Sequence, residues 1–260
     1  MTIAGIDALR AGLAQGEIAV RYQPVVRVRD RRPMMVEALA RWQPAGGDVS
    51  PDHFVALAER AGLVGELSAI VAASAIADLG PLWSRLRLGV TLNLPLALVL
   101  QPGLAASLDR AIGWSVLAPG RIAIELTETT PVRDLARLQR ALLRLRAAGY
   151  RVLLDDVMLQ DGRDRLQALA FSGLKLDRSL VERLPGDGHA RHGVRALVAA
   201  AEARGQTVIA EGVSRPAHWA ALRGLGVHYA QGFAVGRPLP AEALPRWAAD
   251  WRGGSSAAYA

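Results

Sequence analysis

The sequence predicts an α/β fold of one domain, a modified (β/α)8, TIM-like barrel whose first strand runs against the rest. Three observations carry this. Eight short strand-like runs recur along 260 residues, most of them alternating with helical stretches, the pattern of a parallel sheet with helical crossovers. Polar or ionisable residues stand where the apolar runs stop, at the carboxyl ends where α/β proteins place their chemistry. The first two runs are joined by a segment too short for a crossover helix. A doubly wound open sheet is the alternative, but no glycine-rich phosphate loop follows the first run.

Taken in order, residues 18–28 and 35–42 read as a hairpin, with 29–33 as its turn and Glu37 inside the second run. Ser50, Pro51 and Asp52 open a helix, Ser as N-cap and Pro in the first turn. Helices are expected over about 51–61 and 64–79, then a strand over 86–94 with Asn93 near its end, then a short helix near 103–112. Residues 121–127 form a strand ending in Glu125 and Glu128. Leu135, Leu138, Leu142 and Leu145 recur at helical spacing within 132–148. The run 151–156, RVLLDD, reads as a fully buried strand that stops at two carboxylates. Side chains alternate along a strand, so Asp155 and Asp156 cannot both enter one core, and both are expected at the rim. A short helix near 163–170 leads to 173–177, GLKLD. Helices at 190–204 and 215–223 flank a strand at 207–210 that runs into Glu211. The strand 228–231 ends in Gln231, a last helix covers 240–251, and the domain is set at 1–252 with 253–260 as a flexible tail.

Composition narrows the function classes. The formal charge of +7 points to an anionic partner or substrate. A nucleic-acid polymer is disfavoured, because the arginines are scattered and aromatics make up only 5%. There is no cysteine, hence no disulfide and no thiolate metal site, and a reducing cytoplasm is the expected compartment. The N-terminus lacks the apolar core of a signal peptide, and no run is long and apolar enough to span a bilayer. Of 31 Lys+Arg residues only Lys175 is lysine, and Asn93 is the one asparagine. In a chain so biased against both residues they are either stragglers or placed where an amine or a carboxamide does what arginine cannot; their position at strand ends favours the second.

If the barrel closes, successive strands deliver Glu37, Asn93, Glu125, Asp155 with Asp156, Lys175, Glu211 and Gln231 to one rim. Strand ends are exposed, and some charge there needs no function. Here, however, the set is mostly carboxylate in a cationic protein, and converging carboxylates repel unless cations neutralise them. Oxygen ligands with one carboxamide suit hard ions, Mg²⁺ or Mn²⁺. The five histidines, at 53, 189, 192, 218 and 228, read as packing or surface residues, which argues against zinc. Two hard ions at one rim are a site for in-line displacement at phosphorus. A lysine there can orient the attacking water, help deprotonate it or stabilise a phosphate oxygen.

The motifs resemble those of the EAL domain family of cyclic di-GMP phosphodiesterases, over about residues 8–250. The matching stretches are Tyr22-Gln23-Pro24, Glu37-Ala38-Leu39 with Arg41-Trp42, Asn93, Glu125-Leu126-Thr127-Glu128, Asp155-Asp156, Leu174-Lys175-Leu176-Asp177, Ala210-Glu211-Gly212-Val213 and Gln231-Gly232-Phe233. The resemblance implies a modified barrel and hydrolysis of cyclic di-GMP to linear pGpG. It implies Glu37, Asn93, Glu125 and Asp155 as ligands of one metal, Asp155 and Asp156 as ligands of a second, and Lys175 with Glu211 as the pair that positions and activates water. Arg41 matches a phosphate-holding arginine, Gln23, Asp177 and Gln231 match substrate or water contacts, and Glu128 matches a residue that anchors the loop after the two aspartates. A homodimer and a regulatory protein partner are further expectations. That loop departs from the family. Where the family has F-G-T-G-Y-S-S, this chain has Val157-Met158-Leu159-Gln160-Asp161-Gly162-Arg163, and the spacing from Asp155 to Lys175 is one residue short. Both motif glycines are lost, and with them backbone conformations that only glycine adopts easily. The alternative reading is therefore a domain of weak or no turnover that serves as a cyclic di-GMP receptor or a protein-interaction module.

Overall fold

The computed structural model describes residues 5–113, 117–127, 132–159 and 164–252. Strands β1 (Ile18–Arg27), β2 (Pro33–Trp42), β3 (Gly89–Pro95), β4 (Ile122–Thr127), β5 (Arg151–Val157), β6 (Gly173–Leu176), β7 (Thr207–Ala210) and β8 (Tyr229–Gln231) close into a barrel in sequence order. β1 pairs antiparallel with both β2 and β8. Every other neighbouring pair is parallel. The expected antiparallel first strand follows from local chemistry at the hairpin turn. Asp30 accepts from Arg27 Nε at 2.8 Å and from the Arg32 amide at 3.2 Å, and Arg31 takes a left-handed φ of 59°. The Arg27 guanidinium holds the Asp30 carboxyl down at about 2.

Alternation along the strands determines what fills the barrel. Val25, Met35, Ala123, Leu153 and Ile209, one from each of five strands, form an apolar cluster of their own. Each lies two positions from a residue of the polar rim: Gln23, Glu37, Glu125, Asp155 and Glu211. The two sets therefore share the inward face, the apolar layer beneath and the polar layer above. The large second cluster lies between the outward faces of the strands and the helices.

Helices Pro51–Ala61 and Val64–Leu79 run over the residues their spacing predicts. Other boundaries move. The expected helix over 132–148 starts at Leu135, because Asp134 caps it by accepting from the Arg137 amide at 2.8 Å. Leu86 belongs to the helical turn Trp83–Leu86, and the left-handed Arg87 (φ 52°) breaks the run before β3. The helix expected near 163–170 is confined to Asp164–Gln167. A helix over Ile6–Gln15 was not expected. Its Gly12 faces Trp42 so closely that a Cβ would lie 2.5 Å from the indole nitrogen. The tail at 253–260 lies outside the described residues. No helix among the described residues is long and apolar enough to cross a membrane.

Candidate active site

Seven strands and the residue just beyond an eighth converge on one ammonium group. Lys175, on β6, is buried, and its Nζ lies 2.7 Å from Glu125 Oε2 on β4, 3.1 Å from Asp155 Oδ1 on β5 and 3.8 Å from Glu37 Oε1 on β2. Glu211, the residue after β7, makes its closest ion pair. The carboxamides complete the layer. Asn93 Nδ2, on β3, donates to Glu37 Oε1 at 2.9 Å. Gln231 Nε2, on β8, donates to Glu37 Oε2 at 2.5 Å and to Gln23 Oε1 at 3.1 Å, and Gln23 Nε2, on β1, donates to the Gly236 carbonyl at 3.1 Å.

Four carboxylates around one lysine leave an excess of negative charge in a buried place. Protonation states follow. Burial, with Glu37, Asp155 and Glu211 close by, pushes Glu125 well above the usual carboxylate range. Burial also pushes Glu211 up to about 7, against the pull of Lys175. Glu37 goes the other way. Burial alone would raise it, but Lys175 and the hydrogen bonds from Asn93 and Gln231 hold it below 4.5. Burial would lower Lys175 too, yet the four carboxylates hold it well above its ordinary value. With no cation beside them, these carboxylates hold Lys175 as an ammonium.

The two neighbouring aspartates escape the alternation rule through the backbone. Leu154 pairs with Leu174, but the next pairing is Val157 with Leu176, a bulge in β5. Within it Asp156 adopts a left-handed φ of 52°, a conformation that a short polar side chain tolerates better than most. Asp155 is buried at 9% exposure and Asp156 is exposed, both at the carboxyl end of β5. One carboxylate oxygen each from Asp155, Asp156 and Glu211 nonetheless lies within 4.8 Å of the others. A regular strand would have turned Asp156 to the opposite face. These donors fit a hard divalent cation. They are all carboxylate oxygens, and the Gln231 Oε1 of the same polar layer is buried without a hydrogen-bond partner.

Arg41 is half-buried, and its Nη1 donates to the Ala40 carbonyl at 2.7 Å. It lines a cleft of about 240 Å³ with Leu39, Val55, Val64, Leu67 and Asn93. Asp177 caps the helix Arg178–Arg183, accepting from the Ser179 amide at 2.8 Å and from the Ser179 hydroxyl. Glu128 and residues 160–163 lie outside the described residues. Of the altered loop, Val157 is buried, Met158 Sδ accepts from Ser179 Oγ at 3.4 Å, and Leu159 packs against bare Gly193, where a Cβ would come within 2.5 Å of it. A second cleft, of about 300 Å³, is lined by Gln23, Glu211, Ser214 and Gln231 together with Arg178 and Phe233. Arg178 was not singled out from the sequence, and Phe233 only as part of a motif, without a role. They lie past strand ends, where no periodicity says which way a side chain points.

The family profile described as the EAL domain matches residues 6–238. The chain belongs to the EAL domain family. An uncharacterized signaling protein of Caulobacter vibrioides is 34% identical over 241 residues, covering 92% of this chain and 30% of that protein. The bifunctional diguanylate cyclase/cyclic di-GMP phosphodiesterase MucR of Pseudomonas aeruginosa is 32% identical over 241 residues, 91% of this chain and 35% of MucR. The chain thus spans about a third of the length of these relatives. The PaMucR phosphodiesterase in its c-di-GMP complex superposes with a TM-score of 0.83 at 31% identity, over 92% of this chain and 98% of that one. The motif residues named above are therefore those of an EAL domain, and its barrel is the one observed.

Proposed function

We propose that this EAL domain hydrolyses cyclic di-GMP to linear pGpG with two divalent cations, Mg²⁺ or Mn²⁺. One observation carries the reading: a buried cluster of Glu37, Glu125, Asp155 and Glu211 is built around the chain's single lysine, with Asp156 bulged in beside it. Glu37, Asn93, Glu125 and Asp155 would hold one ion, and Asp155 and Asp156 the second. Such ions, when bound, neutralise the charge that develops on phosphate oxygens and acidify water. The chain does the rest. The Lys175 ammonium orients the attacking water, and Glu211, pushed up to about 7, takes its proton. The water oxygen bonds to phosphorus, the bond from phosphorus to the 3′ oxygen breaks, and that oxygen takes up a proton. Arg41 offers a planar fork to a substrate phosphate. Gln231, which also donates to Gln23, holds Glu37, and the two glutamines present amide atoms to water or substrate. The reading includes Asp177 and Glu128 as supports for the helix and loop that border the site, and a cytoplasmic homodimer.

Turnover of the purified protein with cyclic di-GMP and Mg²⁺ or Mn²⁺, followed by product chromatography, tests this. Appearance of pGpG is expected. A second reading, a receptor without turnover, rests on the altered loop: Met158 and Leu159 engage helical residues in place of a glycine-rich segment. Tight binding with no pGpG would support it and remove the first.

A further inference from the structure

The end of the barrel opposite the carboxylate cluster carries the opposite charge. Strands β2 to β8 start there. β1 runs the other way and finishes there, its last residue, Arg27, pairing with Tyr229, the first of β8. Arg32 immediately precedes β2, Arg121 precedes β4, Arg151 opens β5, and Arg204 and Arg223 stand shortly before β7 and β8. Among the described residues, the connections that enter the strands at this end carry one acid, Asp30. Arginines scattered along the sequence are thus gathered in space at the foot of the barrel. A cleft of about 300 Å³ opens in this foot, lined by Arg27, Arg29, Arg223, His228 and Tyr229. It shares no residue with either cleft beside the carboxylate cluster. We propose that it binds a phosphate monoester or diphosphate group, apart from the catalytic mouth and whatever is hydrolysed there.

The cleft has donors to spare. Arg27 already holds the Asp30 carboxylate, at 2.8 Å from Nε and 2.5 Å from Nη2. Arg29 is left with a 3.9 Å approach to the same carboxylate. Arg223 is exposed, and among the described residues its guanidinium has no hydrogen-bond or ion-pair partner. The charge of Arg29 and Arg223 is therefore open to a ligand. His228 Nδ1 accepts from the Val208 amide at 3.0 Å, so the neutral ring carries its hydrogen on Nε2 as a donor. Glu202 Oε1 lies 3.5 Å from that nitrogen. The Tyr229 hydroxyl adds a donor and makes no hydrogen bond among the described residues. Guanidinium forks match phosphate oxygens, and a cationic concavity concentrates anions. A phosphate dianion can satisfy two guanidiniums that come from separate connections, where a single carboxylate leaves one over. The volume suits a small molecule and not a polymer track.

The test is calorimetric titration with pyrophosphate. EDTA keeps metal from drawing the anion to the carboxylate mouth, and about 0.15 M NaCl screens diffuse surface charge beyond about 8 Å. The wild-type chain is expected to bind one pyrophosphate. Arg223→Gln removes an exposed, unpaired charge, so its melting temperature without ligand should match the wild type. It is expected to weaken pyrophosphate by on the order of tenfold or more, and Arg140→Gln, on the exposed face of the helix Leu135–Ala147, by less than about twofold. Tyr229→Phe, which deletes a hydroxyl alone, should weaken it severalfold. Equal losses in Arg223→Gln and Arg140→Gln would mean that the anion answers net charge, and would overturn the proposal. Unchanged binding in Arg223→Gln, or a wild-type chain that binds no pyrophosphate, would overturn it as well. Vesicles of phosphatidylcholine with phosphatidate distinguish the source of the group. Co-sedimentation that pyrophosphate competes away and Arg223→Gln abolishes assigns the site to a lipid headgroup. Pyrophosphate binding without co-sedimentation assigns it to a soluble phosphate ester.

Discussion

At the scale of single residues, the site depends on what only one side-chain chemistry can do. Lys175 puts a compact charge among Glu37, Glu125, Asp155 and Glu211. Arginine is larger, and its charge is spread over a plane. Lys175→Arg is therefore expected to cut kcat by on the order of a hundredfold or more. Full activity in that variant would refute the role given to the lone lysine. Glu37 is bound by both carboxamides, Asn93 and Gln231, and is held below its usual range, whereas Glu125 and Glu211 are pushed up. Glu37→Ala is expected to abolish turnover and to weaken Mn²⁺ binding in a metal titration. Near-normal Mn²⁺ affinity would count against Glu37 as a ligand. Much of this was legible in the sequence. Asn93, Glu125, Asp155, Lys175, Glu211 and Gln231 stand at or near strand ends and Glu37 inside its strand, and alternation is a strong rule inside a barrel. Arg178, which lies past a strand end, obeys no such rule, and Phe233 stood in a motif without a role.

At the scale of elements, the decisive feature is the bulge in β5. Sequence spacing put Asp155 and Asp156 at the end of a buried strand but not on one side of it, since neighbouring residues face apart. A register shift and a left-handed Asp156 reconcile the two. The helix Ile6–Gln15 was not legible in the sequence, because its buried face is only Leu9, Gly12 and Leu13 and gains its meaning from Trp42. The bulge makes a prediction that separates charge from backbone. Asparagine tolerates the left-handed region as aspartate does. Asp156→Asn should leave the melting temperature of the metal-free protein unchanged, yet lose affinity for the more weakly held of two Mn²⁺ ions. Loss of fold would show that the charge serves the strand instead. The segment after the bulge is pinned by Leu159 against Gly193. Grafting F-G-T-G-Y-S-S with its additional residue in place of 157–163 is expected to raise the rate of pGpG formation. No change would mark the departure as neutral.

At the scale of the whole molecule, a cationic chain of net charge +7 closes its barrel around a buried excess of acid. That conflict should be visible in stability. Glu211 ionises at about 7 in the folded chain and near its ordinary 4.5 when unfolded. Between those values the folded state holds the extra proton, so stability falls as pH rises from about 4.5 through about 7. The loss, about 3 kcal/mol in full, is complete above pH 7 and absent below pH 4.5. Glu125, raised in the same direction, adds to the trend. His218 and His228 are held down by burial, and they oppose it at the acidic end, where unfolding lets them charge. A difference measurement isolates the carboxylate. Metal-free Glu211→Gln should melt with the wild type near pH 4.5 and above it near pH 8. Mn²⁺ should reverse the order of stabilisation with pH. It competes with the proton for these oxygens, so it should raise the wild-type melting temperature more at pH 8 than at pH 5.5. A Glu211→Gln variant that is no more stable than wild type at pH 8 would mean that Lys175 already satisfies the ionised carboxylate. The cluster would then be a closed salt-bridge network with no call for a metal.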